Sequence, residues 1–193
     1  MNVAAAGAAG AVVAVVDAVL ARALFEEAAR KSSLVWARTS ADGAARALWH
    51  VADGAGGVLV VGGGAGGEQP LFGLDAVSEA WLTVRSKDAR ARLVTLPVAV
   101  ERVPSGTAAW DEAVALLKGK RLNAVDLVDG GDGVDGLEAR WGRECVVLRM
   151  APVEGAAALD GGDASGAAPP VPSPATTRGR VPRRVGRGRK RFR

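Results

Sequence analysis

The stretch LVWARTSADGAARALWHVADGAGGVLVV, residues 34–61, decides the fold class. It contains three short apolar runs, at 34–39, 45–51 and 58–61, which are separated by the turn sequences SADG and ADGAGG. Links of this length join antiparallel strands and are too short for the helical crossover that parallel strands need. The stretch therefore predicts an antiparallel meander of three strands.

The rest of the chain extends this β pattern. Further extended runs lie at 80–87, 92–103 and 143–153. The sequence 104–122 between the last two predicts a helix that Ser105 or Thr107 can cap, and 128–136 predicts a loop after it. Short strands with few helices favour a barrel or sandwich over a doubly wound sheet.

Both ends of the chain differ from this middle part. Apolar residues repeat at i+4 near the start, which predicts an amphipathic helix from about residue 11 to 30. We divide the chain into an N-terminal helix (1–31), a barrel domain (32–153), a disordered Ala/Gly/Pro linker (154–177) and a disordered basic tail (178–193). The tail holds nine of the 25 basic residues and no acid, so the remainder carries 16 basic against 21 acidic residues.

Composition excludes several classes of protein. One cysteine and one histidine rule out an internal disulfide framework and any multi-cysteine or paired-histidine metal site within one chain. No basic residue precedes Arg22, which is not the pattern of a secretory signal. The uncharged stretch 3–16 is too short to span a bilayer as a helix. We expect a cytoplasmic protein without a membrane span.

A glycine-rich loop follows the third predicted strand. Gly62, Gly64 and Gly67 satisfy the G-x-G-x-x-G spacing of dinucleotide-binding loops. Only 12 residues separate Gly67 from the next strand at Ala80, which leaves no room for the helical crossover of that fold. A phosphate-binding P-loop is excluded as well, because Glu68 stands where lysine is required. The sequence favours a flexible connection.

The succession of elements resembles the pyridoxamine 5'-phosphate oxidase-like family of flavin-binding split β-barrels. The likeness covers about residues 15–153. It rests on the meander 34–61, on AWLTVRSKDARARLVTLPVAVERV (80–103) and on AAWDEAVALLKGKRL before the closing CVVLRMAPV. The resemblance implies a mainly β fold: an antiparallel split β-barrel of about six strands, with helices at the N-terminus and before the last strand.

The resemblance also implies a homodimer that binds FMN, or a deazaflavin, at the subunit interface. Arg46 matches the arginine that the family places on its second strand for the flavin phosphate. The family's Ser-x-Lys after the third strand is absent, and the segment from Gly62 to Gln69 replaces it. Backbone N–H groups of such a loop, including that of Gly67, can form an anion nest.

Further residues are candidates for cofactor binding. Each also has a purely structural interpretation. The Arg85–Lys87 cluster can be the solvent-exposed end of a strand, Trp49 can be a core residue, His50 can be a half-buried polar residue, and Gln69 can be a loop residue that faces water. Two cations and a hydroxyl suit a phosphate, an indole can stack on a flavin, and imidazole or amide groups can hydrogen-bond its ring. The predicted cofactor-binding residues are Arg46, Trp49, His50, Gly67, Gln69, Arg85, Ser86 and Lys87.

Two functions follow from these patterns. The first is a flavin- or deazaflavin-dependent oxidoreductase that acts on an unidentified small molecule, in which the cofactor carries the chemistry; no nucleophile–base pair stands out in the sequence. The second is a non-enzymatic split-barrel binding module whose basic tail, 178–193, makes nonspecific contacts with nucleic acid through counterion release. Contact with an anionic lipid surface and a translated terminus without a selected role are the alternatives for the tail.

Overall fold

The computed structural model describes residues 4–63, 68–86, 92–121, 134–156 and 158. The predicted linker and basic tail lie almost wholly outside these residues. The described elements are, in chain order, α1 (Ala4–Lys31), β1 (Leu34–Arg38), β2 (Arg46–Trp49), β3 (Val51–Ala52), β4 (Val58–Gly62), a 3₁₀ turn (Leu74–Ala76), β5 (Glu79–Arg85), β6 (Arg92–Val103), α2 (Ala108–Lys120), α3 (Val134–Glu144) and β7 (Val146–Pro152).

The described strands form one seven-stranded sheet that curls into a nearly closed barrel. Their order is β2-β1-β5-β6-β7-β4-β3, and every neighbouring pair is antiparallel. Only His50 separates β2 from β3, so 46–52 is one bent strand that pairs with β1 in its first part and with β4 in its second. This confirms the predicted antiparallel split β-barrel of about six strands.

The barrel interior is filled by alternate residues of the strands. Val35 and Ala37 of β1 face inward, as do Leu82 and Val84 of β5, because successive side chains of a strand point to opposite faces. Helix α1 packs against this core through small alanines and the fully buried Phe25. The helix begins at residue 4 rather than at 11.

A second apolar layer lies on the outside of the barrel. Outward-facing residues of β3, β4 and β7 pack against α2 and α3. Leu137 and the fully buried Trp141 lie one turn apart on α3 and anchor this layer. The layer positions the ends of both helices beside the segment that follows β4.

Helix α3 corrects two predicted boundaries. A loop was predicted over 128–136 and a strand from residue 143, whereas α3 occupies Val134–Glu144 and β7 begins at Val146. Glycines at 136 and 142 obscured the helix, because glycine has low helix propensity. Burial of the Leu137 and Trp141 side chains overrides that propensity.

One side of the barrel belongs to neither apolar layer. It consists of the outward residues of β1 and β5, which alternate with the buried ones, and we call it the open face. Thr83 on this face shares a 2.8 Å hydrogen bond with Thr95 of β6. The open face is formed by Leu34, Trp36 and Arg38 of β1 and by Glu79, Trp81, Thr83 and Arg85 of β5.

Candidate functional site

A cleft of about 310 Å³ lies where β1 ends and β2 begins. Arg46 pairs with Ala37 in the sheet, and the exposed Arg46 guanidinium lies 5.4 Å from the centre of the Phe72 ring, in the range of a cation–π contact. We call it the Arg46 cleft. It is lined by Ala37, Arg38, Thr39, Ala44, Arg46, Phe72 and Leu74.

Two features of the Arg46 cleft call for an explanation beyond packing. The Nε atom of Arg38 is buried, and no hydrogen-bond partner for it lies among the described residues. Phe72 has φ of 53°, in the left-handed region that is strained for a non-glycine residue. Buried polar atoms are almost always paired, and strained residues cluster at ligand sites.

The charge of the Arg46 cleft suits an anion. Two guanidinium groups and the Thr39 hydroxyl line it, and none of its described lining residues is acidic. Guanidinium groups bind phosphates and carboxylates through parallel N–H donors. The half-exposed Phe72 ring adds an apolar surface at the same opening.

Gln69 lies at the other end of β2 and contacts backbone. Its Oε1 accepts a hydrogen bond from the Trp49 N–H (2.7 Å), and its Nε2 donates to the carbonyls of Trp49 (2.8 Å) and Val61 (3.1 Å). The Gln69 amide thus joins β2 to β4 at the bend in the strand. It is not the water-facing loop residue of the alternative prediction.

His50 is buried at the bend between β2 and β3. Its side chain is 3% exposed, and its Nε2 lies 3.0 Å from the carbonyl oxygen of Ala29 at the end of α1. Burial lowers the pKa of the imidazole, and the backbone hydrogen bonds to Ala29 and Ser33 oppose that shift. His50 is therefore neutral at pH 7, with the Nε2 proton donated to Ala29.

A larger cleft of about 480 Å³ includes His50. It lies where β1 begins and β2 ends, opposite the Arg46 cleft along the strand pair, since Leu34 pairs with Trp49 and Ala37 with Arg46. We call it the His50 cleft. It is lined by Ala29, Arg30, Lys31, Ser32, Ser33, Trp49, His50, Val51, Ala52 and Lys120.

The remaining predicted site residues lie elsewhere. The Arg85 guanidinium is 4.6 Å from the centre of the Trp36 ring on the open face, and Ser86 follows it directly. Gly67 and Lys87 lie outside the described residues. The described candidates are therefore not brought together: Arg46, the Trp49–His50–Gln69 group and the Arg85–Ser86 pair occupy three places.

The glycine loop does not lead into a helix. A Cβ on Gly62 would lie 2.5 Å from the Gln69 carbonyl oxygen, and the Gly63 N–H donates to that same oxygen at 3.0 Å. The two ends of the loop are thus held together, and the chain continues through a 3₁₀ turn into β5. The antiparallel sheet agrees with the rejection of a dinucleotide-binding loop.

Sequence reasoning missed a charged cluster beside this loop. The Glu68 carboxylate, 7% exposed, accepts hydrogen bonds from Arg121, from Arg140 (3.0 Å) and from the Trp141 indole N–H (2.8 Å). These partners come from α2 and α3 and lie 53 to 73 residues away along the chain, so no local pattern could indicate them. Burial, followed by the Glu68 charge, raises the pKa of the neighbouring Cys145 thiol.

Within the described ranges, no three His, Cys, Asp or Glu side chains converge as metal ligands. The helices of the described part are also too short or too polar to cross a membrane.

Comparisons with known proteins give a structural likeness but no match in sequence. No protein family and no curated protein matches the sequence. The crystal structure of HutZ, the heme storage protein from Vibrio cholerae, is similar, with 14% identity, a TM-score of 0.46, and coverage of 69% of this chain and 90% of that chain. At this level of identity and TM-score, the similarity says nothing about the ligand or the function of this chain.

Proposed function

We propose that this chain is an FMN- or deazaflavin-binding split-barrel oxidoreductase that acts on a small molecule, with the cofactor phosphate in the Arg46 cleft. The observation that carries the proposal is the buried Nε of Arg38, which lacks a partner among the described residues and lies in one cleft with Arg46. A phosphate oxygen is the kind of acceptor that such a donor needs.

The lining residues fit the phosphate end of a flavin mononucleotide. Arg38 and Arg46 supply donors for the phosphate dianion, Thr39 adds a hydroxyl, and the Phe72 ring offers an apolar face to the ribityl chain or ring. When bound, a flavin or deazaflavin supplies the hydride-transfer chemistry, and the protein binds and orients it. Trp49, His50 and Gln69 are not needed for this phosphate contact.

We further propose that the protein is a homodimer that uses the open face. Leu34 is 48% exposed there, and the half-buried Trp36 and Trp81 lie on the same face. Exposed aliphatic and aromatic side chains at the centre of a surface are typical of subunit interfaces. Such a dimer would bring Arg85 and Ser86 close to a second subunit, as cofactor binding at an interface requires.

A second candidate function rests on the nine cations of 178–193. A polycationic arm binds nucleic acid without base readout, and its affinity falls steeply as salt rises. On this proposal the barrel serves as a binding and dimerisation module. Deletion of 178–193 should then abolish DNA retention and leave flavin binding unchanged.

The first test is a fluorescence titration of the purified full-length protein with FMN, a deazaflavin cofactor and riboflavin. Riboflavin lacks the phosphate, so we expect FMN to bind more tightly. Arg46→Ala should weaken FMN binding about tenfold or more, because a hydrogen bond to a charged group contributes about 1.5–3 kcal/mol. Riboflavin binding should change little.

Matched variants make the test specific. Arg102→Ala removes an exposed arginine of β6 that does not line the cleft, and it should leave FMN affinity unchanged. Arg85→Ala tests the open face separately. Absence of binding by both FMN and the deazaflavin would overturn the cofactor proposal, and equal affinity for FMN and riboflavin would overturn the phosphate site.

A further inference from the structure

The chain's one histidine is buried in the larger of the two clefts, and its Nδ1 has no hydrogen-bond partner among the described residues. The Nε2 proton is donated to the Ala29 carbonyl, so Nδ1 carries a lone pair and acts as an acceptor. Nδ1 is buried, and no donor reaches it from the described residues. A buried acceptor without a donor is rare enough to require a ligand or a trapped water.

The surroundings of His50 are those of an anion site. Three basic side chains line the cleft from two helix ends: Arg30 and Lys31 from α1, and Lys120 from α2. Glu27 pairs with Arg30 (2.5 Å) and Lys31 (2.7 Å), which leaves the group with a net positive charge. None of the described residues that line the cleft is acidic.

The cleft also offers an apolar wall and a hydroxyl. Trp49, which is half-buried, lines it together with His50, and Ser33 is exposed at its opening. Gln69 fixes the Trp49 backbone on both its N–H and its carbonyl, the Ser33 carbonyl accepts the His50 backbone N–H at 3.2 Å, and the Ala29 carbonyl accepts the ring Nε2–H at 3.0 Å. The wall and the imidazole are therefore held in place without a ligand, which is the preorganisation that tight binding requires.

We propose that the His50 cleft is a second binding site, separate from the flavin phosphate site, for a small organic anion that carries a hydroxyl or amine donor. The anionic group lies among the basic residues at the cleft opening, and the donor satisfies His50 Nδ1. Phosphate esters and carboxylates share this chemistry. The two clefts lie at opposite ends of the β1–β2 pair, so this site does not depend on flavin binding.

A spectrum of the single imidazole tests the proposal directly. Because the chain has one histidine, every imidazole ¹⁵N signal in a long-range ¹H–¹⁵N experiment comes from His50. The probes are glycerol 3-phosphate and D-glycerate, which carry hydroxyl donors, and sulfate and acetate, which carry none at neutral pH. We expect the first two, at millimolar concentration, to move the Nδ1 signal upfield, while the second two leave it in place.

Variants separate this site from the flavin site. His50→Gln keeps an amide donor for Ala29 but lacks the Nδ1 acceptor, and it should weaken calorimetric binding of glycerol 3-phosphate to the level of sulfate. Lys120→Gln should weaken binding about twofold to fivefold, because an exposed ion pair contributes up to about 1 kcal/mol. Lys118→Gln removes a charge from the same helix end outside the cleft lining and should have no effect.

The possible outcomes identify the class of ligand or overturn the proposal. A shift with D-glycerate alone assigns the site to carboxylates, and a shift with glycerol 3-phosphate alone assigns it to phosphate esters. The Arg46→Ala variant should give the same spectra as the wild type. A Nδ1 signal that none of the four probes moves, or that sulfate and acetate move equally, overturns the proposal.

Discussion

Glu68 connects the segment after β4 to the C-terminal end of α2 and to α3. Its buried carboxylate is the counter-ion of Arg121 and Arg140 and also accepts the Trp141 N–H. We expect Glu68→Gln to lower the free energy of unfolding by about 3 kcal/mol, because it removes the buried carboxylate charge that pairs with the Arg121 and Arg140 guanidinium groups. Urea denaturation followed by tryptophan fluorescence measures the change.

The neighbouring ion pair provides the control. Lys118 donates to Glu138 at 2.6 Å between the same two helices, but the Glu138 side chain is 45% exposed. Glu138→Gln should lower the free energy of unfolding by less than about 1 kcal/mol, since water screens exposed ion pairs. Equal losses for the two variants would contradict the role assigned to Glu68.

Single residues were the hardest features to predict from the sequence. Arg46 was identified by its position on the second strand, and it does line a cleft with a second arginine. Arg38 and Phe72, the other distinctive residues of that cleft, gave no signal, because burial of a guanidinium nitrogen and a left-handed φ depend on the tertiary structure. The contacts of Gln69 with the backbone could not be predicted either, since its partners lie up to 20 residues away along the chain.

At the scale of elements, strands were predicted better than helix boundaries. The run 92–103 matches β6 to the residue, because its apolar residues and turn boundaries are local features of the sequence. Helix α3 was missed because its three large apolar residues, Val134, Leu137 and Trp141, stand among charges and glycines. The partners that stabilise it come from distant strands.

The N-terminus of α2 gives a prediction at this scale. Two residues could cap the helix, and the structure assigns the cap to Thr107, whose Oγ1 accepts the Trp110 N–H at 3.2 Å. Thr107→Ala should destabilise the protein by about 1 kcal/mol, because an unsatisfied N–H at the helix start remains. Ser105→Ala, two residues earlier and exposed, should change stability by less than about 0.5 kcal/mol. A thermal melt of both variants decides between them.

For the whole molecule, the helices cover only part of the barrel surface. The part that they leave uncovered is where we expect a second copy of the chain to bind. Helices α2 and α3 cover the outer side of β3, β4 and β7, whereas the open face on β1 and β5 belongs to neither apolar layer. Burial of that face against a second copy would remove apolar surface from water at about 25 cal/mol per Å². Self-association through the open face is therefore the proposal that this architecture favours.

Paired substitutions on opposite sides of the barrel test that proposal. Leu34, 48% exposed on the open face, and Leu116, 43% exposed on α2, are the same residue type with similar exposure. Leu34→Asp should convert the wild-type dimer into a monomer in sedimentation velocity, because a charge would be buried at the interface. Leu116→Asp should stay dimeric. A wild-type monomer, or a dimer that Leu34→Asp leaves intact, would show that this face is not the interface.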